Sequence, residues 1–199
     1  MKNKNSISIY SLIIIGFVII FTNSCKKDNK TNDTPTVVLT IGQSYQGGVI
    51  AYLLRPGDNG YNANVQHGLI AAPSDQSTHA EWGCKGTAIT GADGTAIGTG
   101  NQNTIDIMTG CSTAGIAARL CGDLVLGGYS DWYLPSIDEL SKLYDNRASI
   151  GGFSGDYYWS SSEHVNAEAT NAWVQGFVFG GLGNLSKDAT YYVRAVRSF

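Results

Sequence analysis

Gly127-Gly128-Tyr129-Ser130-Asp131-Trp132-Tyr133-Leu134-Pro135-Ser136-Ile137-Asp138-Glu139-Leu140 is the stretch from which the fold is read. Its second half starts a helix. Ser136 with Glu139 three residues on has the spacing of a capping box, in which each side chain accepts a hydrogen bond from the other residue's backbone N–H. Asp138 adds a negative charge where the helix dipole favours one. Ile137, Leu140, Leu143 and Tyr144 then share one helical face, which predicts a helix over Ile137–Asn146. Asp131, in the first half, reads as turn chemistry.

Working outward, strand patterns flank this helix. Downstream, Tyr157–Ser162 (YYWSSS), Ala172–Phe179 and Tyr191–Ser198 are β-branched and aromatic runs. Trp173, Gln175, Phe177 and Phe179 fall on one face of the second run, with Ala172, Val174 and Val178 on the other. Gly180–Gly183 turns the chain. Ending on a strand pins the C-terminus into a sheet. Arg194 and Arg197 point to opposite sides of that last strand, and one of them is expected to pair with a buried carboxylate.

Upstream, Val37–Ile41 reads as a first strand and Gly42–Gln46 as a polar break. Gly47–Leu54 reads as a buried strand and Arg55–Gly60 as dense turn chemistry. Gly68–Pro73 completes an N-terminal hairpin or meander. Ser74–Gln102 is a long polar, glycine-rich loop, a kind that in compact domains is functional or disordered. Trp82 and Cys84 argue that part of it is pinned. Short helices are expected at Thr104–Gly110, capped by Asn103, and from Ala114 through Cys121 to near Gly122. Strands, then helices, then strands make an α+β domain with a largely antiparallel sheet.

Residues 1–36 have a different character. Lys2 and Lys4 precede an apolar run from Ile7 to Phe21, then Thr22-Asn23-Ser24 and Cys25. This is the layout of a secretory signal, and the run is shorter than the ~20 apolar residues of a membrane span. A cysteine directly after such a run resembles the lipobox of bacterial lipoproteins. Ser24 fits that pattern, whereas Thr22 stands where leucine is usual. The resemblance implies lipidation of Cys25 after removal of residues 1–24, and Lys26, in place of the aspartate of inner-membrane retention, implies the outer membrane. KKDNKTNDTPT (26–36) cannot bury apolar area and reads as a tether, so 25–36 link the anchor to one domain, 37–199.

Composition narrows the function. The 25 glycines and only four glutamates argue for a loop-rich sheet protein over a long-helix one. Without residues 1–24 the 13 basic residues fall to 11 against 16 acidic ones, a net charge of −5. With no run of Lys or Arg in the domain, nucleic acid is excluded as a partner, because its binding rests on neutralising phosphates. Sulfated polysaccharides are disfavoured on the same ground.

The motifs GGYSDWYLPS..EL (127–140), YWSS (158–161) and an aromatic strand followed by YVRAVR (172–174, then 192–197) resemble, in this order, those of a bacterial domain family. The family is named for the C-terminal domain of the Legionella collagen-like adhesin (the Lcl C-terminal domain). The resemblance implies a C-type-lectin-like fold: a small twisted, mostly antiparallel sheet, two or three short helices and a long loop region. It makes Trp132 and Trp159 core residues between helix and sheet. Two positions depart from the family pattern: Tyr133 stands where arginine is usual, and Ala195 where a cysteine often pairs with the cysteine that is Cys121 here. Cys121 therefore pairs elsewhere or stays free. Cys84 and Cys111 are the preferred candidate disulfide, tying the long loop to the helix start, and Cys121 is then a leftover thiol. A bond from Cys121 to either of them is the alternative. The collagen-like stalk of the namesake has no counterpart, since no Gly-x-y repeat occurs.

No catalytic or cofactor pattern emerges. His67, His79 and His164 lack metal-ligand spacing. Gly91–Gly100 lacks the ending of a phosphate loop. Asp93 lacks EF-hand spacing, and the Glu-Pro-Asn and Trp-Asn-Asp calcium motifs of sugar-binding C-type lectins are missing. No GxSxG elbow is present. The expectation is a non-enzymatic, lipid-anchored surface module that binds an extracellular glycan or protein, with Ser74–Asn103 as the contact region and no cofactor. A structural envelope component without a separate ligand is one alternative, and a thiol-dependent enzyme using Cys84, Cys111 and Cys121 is the other.

Overall fold

The computed structural model describes residues 38–199. The expected signal peptide (1–24), Cys25 and the tether (25–36) lie outside the described residues. The chain runs β1 (Ser44–Tyr45), β2 (Gly48–Leu53), β3 (Gly68–Ala71), β4 (Ser77–Glu81), α1 (Gly100–Gly110), α2 (Ala117–Gly122), α3 (Ile137–Asp145), α4 (Arg147–Ile150), β5 (Tyr157–Glu163), β6 (Asn171–Gly176), β7 (Leu182–Ser186), β8 (Thr190–Val193) and β9 (Val196–Ser198). The strands form two sheets rather than one, in the orders β1-β2-β3-β9 and β4-β8-β5-β6-β7. All pairings are antiparallel except β5 with β8. The domain is α+β with mostly antiparallel sheets and short helices, as the sequence pattern implied.

The helix read from the opening stretch is present. Ser136 Oγ accepts from the Glu139 N–H and Glu139 Oε2 accepts from the Ser136 N–H at 2.8 Å, so both halves of the capping box form. Ile137, Leu140 and Leu143 are buried. Gly127 carries φ +64°, and a Cβ there would run into the Gly47 backbone, which is why the stretch opens on glycine. Asp131 does more than turn the chain: both its oxygens accept from Arg197 at 2.7 Å, a bidentate pair that holds this segment to β9. The Arg197 guanidinium also lies 3.9 Å from the Tyr129 ring centre.

The last predicted strand is corrected most. Tyr191–Ser198 is not one strand but two, β8 in the five-stranded sheet and β9 in the four-stranded sheet. The chain changes sheets at Arg194–Ala195. Arg194 is fully buried there, donating to Asp75 Oδ1 at 2.6 Å, to the Ala72 carbonyl at 2.9 Å and to the Gly152 carbonyl. Its guanidinium also covers the Phe153 ring at 4.2 Å. Arg194 is thus the arginine that meets a largely buried carboxylate, as expected of one of the two, while the Asp131 partner of Arg197 is 57% exposed.

Other boundaries shift for identifiable reasons. The described part of the expected first strand, residues 38–41, is not a strand: Thr40–Gln43 forms a turn, and the Gln66 side chain takes a strand partner's place by bonding both backbone groups of Leu39. The expected break at Gly42–Gln46 instead contains β1. The long loop contains β4, and α1 starts at Gly100 after Thr99, so Asn103 is inside the helix and not its cap. The second helix begins at Ala117, three residues later than read. β6 stops at Gly176, leaving Phe179 94% exposed on a hairpin rather than on a strand face. β7 was not read at all.

Two apolar clusters fill the domain. One gathers Ile70, Trp82, Ile107, Trp132, Leu134 and Trp159 beneath α1 and α2. The other gathers Tyr52, Leu69, Leu140, Leu143, Tyr158 and Phe177 beneath α3. Trp132 and Trp159 are core residues, each removing roughly 150–250 Å² from water. Central strand β5 is covered on both faces. Arg194 bridges the two sheets from a water-free position, so Arg194→Met should destabilise the domain by about 3–5 kcal/mol, the range for stranding one partner of a buried ion pair, as measured by urea unfolding.

Candidate functional site

The region expected to carry function is the long loop, and residues 82–99 run between β4 and α1 without a strand of their own. Buried backbone N–H and C=O groups must find partners. Here side chains from within the sequence motifs and from outside them supply these partners.

Two buried carboxylates do most of this. Glu163, at the end of β5, accepts from the Ile89 N–H with both oxygens, at 2.9 and 3.1 Å. Glu139 Oε1 accepts from the Gly98 N–H at 2.9 Å and from the Tyr133 hydroxyl at 3.2 Å, while its other oxygen caps α3. Burial is the largest influence on each and pushes both carboxyls above their ordinary range. Carbonyls are met in the same way. Gly94 O accepts from Asn103 Nδ2 at 2.6 Å and Ser162 Oγ at 2.7 Å, and Ala96 O accepts from Ser136 Oγ at 2.9 Å. Lys187 Nζ donates to the Thr87 carbonyl at 2.9 Å.

The tryptophan and the cysteine that suggested pinning both pin the loop. Trp82 is fully buried and donates to the Ser160 carbonyl at 2.9 Å. Cys84 is joined to Cys111, just past α1, with Cα atoms 5.8 Å apart. Cys121 is buried in the α2 core and has no disulfide partner among the described residues. Its thiol, raised by burial, is poorly placed to ionise.

The remaining sequence candidates are not brought together. His67 Nδ1 bonds the Phe199 carbonyl, His79 bonds Thr78, and the His164 ring packs at a tilt against Trp173. Asp93 is exposed. Among the described residues, no group of three His, Cys, Asp or Glu side chains is arranged to hold a metal ion. Tyr133, standing in the arginine position, is buried between Glu139 and Ser198.

Sequence reasoning missed one surface recess with exposed aromatic walls. A cleft of about 280 Å³ lies beside the β6–β7 hairpin, lined by Asp156, Tyr157, Phe177, Val178 and Phe179 over a glycine floor. Tyr157 is 42%, Val178 51% and Phe179 94% exposed. The signal for it was present as Phe177-Val178-Phe179 running straight into two glycines. A strand reading absorbed those aromatics into a sheet face.

With the geometry in hand, the chain can be placed. The model of the Lcl C-terminal domain matches residues 72–197. The chain belongs to the Lcl C-terminal domain family. No curated protein matches it. Membership suggests a surface-associated, adhesin-like module. All three Lcl motifs act here on the long loop or on the sheet junction: Ser136 and Glu139 hold residues 96–98, Ser160 and the adjoining Ser162 hold residues 82 and 94, and Arg194 and Arg197 hold the two sheets to the rest.

The disulfide adds covalent closure to this clamp across a separation of 27 residues. Replacing Cys84 and Cys111 by serine should lower stability by about 2–4 kcal/mol in guanidinium unfolding, with the loop still seated by the two carboxylates.

Proposed function

We propose that this chain is an exported lipoprotein, lipidated on Cys25, whose Lcl domain is a non-enzymatic binding module for an extracellular glycan or protein ligand at an outer membrane or cell surface. The observation that carries the proposal is the cleft at the β6–β7 hairpin. An exposed phenylalanine on its own is unremarkable. Phe179, Val178 and Tyr157 line one recess together, and contiguous exposed apolar surface marks interaction sites. Aromatic side chains offer a flat apolar face at little conformational cost, which suits stacking on a sugar ring or on a protein side chain. Asp156 at the cleft edge offers a carboxylate to hydroxyl or amide donors.

The rigid loop supports this reading, because a module whose loops are already ordered loses little entropy on binding. The net charge of −5 without residues 1–24 favours uncharged or basic ligands over polyanions. The anchor is supported by the apolar run, the small residues before Cys25 and the polar tether. Acyl chains contribute about 0.8 kcal/mol per buried methylene, enough for several chains to hold the domain durably.

The binding reading is tested on a glycan array and an extracellular-protein panel with the purified protein. Phe179→Ala should weaken the interaction about tenfold or more while leaving the melting temperature unchanged, since this side chain is almost wholly exposed. Failure to bind either panel would sink the binding reading, and unchanged affinity of the variant would remove the cleft from it. Cys25→Ser should abolish incorporation of a labelled fatty acid and release the protein from the membrane fraction. Persistent label would contradict the anchor.

A further inference from the structure

The contact between Lys187 and Glu163 lies in a place where an ion pair is costly. Side-chain exposures are 0% and 2%. The fully buried ring of Trp82 covers the ammonium, with Nζ 4.4 Å from its centre. Removing both charges from water carries a large desolvation cost even after relaxation. Burial is the largest influence on both groups, raising the Glu163 carboxyl and lowering the Lys187 amine, so both are driven toward neutrality. With Lys187 Nζ held against the Glu163 carboxyl at a site closed to water, the nucleophile and the electrophile of an amide are already in contact.

We propose that Lys187 and Glu163 condense into an intramolecular isopeptide bond, joining the end of β5 to the turn after β7. The Nζ lone pair attacks Glu163 Cδ, and the bond from Cδ to the hydroxyl oxygen breaks. That hydroxyl leaves with one Nζ proton as water, so the step needs no oxidant, reductant or third reactant. The surroundings favour it. The Ile89 N–H, at 2.9 and 3.1 Å from the two carboxyl oxygens, is placed to steady the oxygen that gains charge in the tetrahedral intermediate. The Thr87 carbonyl, 2.9 Å from Nζ, orients the amine and can keep the N–H of the finished amide. Well-oriented intramolecular partners reach effective concentrations on the order of 10⁵ M or more. The product carries no charge, so the burial cost of the ion pair disappears, and the dry site protects the amide from hydrolysis.

The bond would close a covalent loop over residues 163–187, which contains β6, the cleft-bearing hairpin and β7. Force applied through Phe179 would then meet a closed loop instead of an edge hairpin that peels away strand by strand.

Peptide-level mass spectrometry of the purified protein tests this. No Lys or Arg lies between Arg147 and Lys187, so trypsin should release residues 148–187 from an unlinked chain. The linked chain should resist cleavage after Lys187 and yield residues 148–194 lighter by one water, with fragmentation placing the loss on Glu163 and Lys187. Lys187→Arg and Glu163→Ala should each restore the missing water. Wild-type protein that is cleaved after Lys187 at full mass overturns the proposal, whether or not the variants fold. So does a water loss that maps to other residues.

Discussion

The structure depends on one constraint: residues 82–99 cross the surface of a packed core with no strand to satisfy their backbone. Two carboxylates buried in the domain, Glu139 and Glu163, answer it by accepting from Gly98 and Ile89. The hydroxyls of Ser136 and Ser162 and the amide of Asn103 meet the matching carbonyls. Each of these side chains is also needed elsewhere. Glu139 caps α3, Ser162 accepts from the Ile137 N–H, and Asn103 reaches Ser161. Helix, sheet and loop therefore share polar partners, and none can shift without stranding a buried group in another.

This sharing explains what the family motifs encode and why the exposed cleft lies outside them. YWSS places Trp159 in the core, Ser160 against Trp82 and Trp173, and Ser161 against Pro135. The GYSDWYLPS..EL stretch supplies the Arg197 partner, the cap and the loop acceptor in turn. These residues specify a scaffold. The exposed hairpin at Val178–Phe179 lies between motifs, in a segment with no shared structural duty, where side chains are free to suit a ligand.

The sequence was most legible where local chemistry and burial agreed. The capping box and apolar face of α3 and the apolar runs of β2 and β3 follow from spacing and residue type, while the core placement of Trp132 and Trp159 comes from the family resemblance. Legibility failed where a distant partner decides. Thr190–Ser198 has uninterrupted strand composition, and only the burial of Arg194 against Asp75, 119 residues away, shows why it divides between two sheets. β4 (STHAE) buries Ala80 alone, so its polarity concealed it inside a loop. Asn103 carries the residue type of a helix cap but spends its amide on Gly94 and Ser161. Glu163 and Lys187 each sit in a polar stretch, SSSEH (160–164) and NLSKD (184–188), that reads as surface, and nothing local announces that they meet in the interior.

The central claim is that the long loop is part of the cooperative core and not a mobile appendage. Native-state hydrogen exchange at the Ile89 and Gly98 amides measures this most directly. Both should exchange only through global unfolding, with the same protection as the β5 amides of Trp159 and Ser161. Exchange of Ile89 and Gly98 many-fold faster than β5, at rates typical of an open loop, would contradict it.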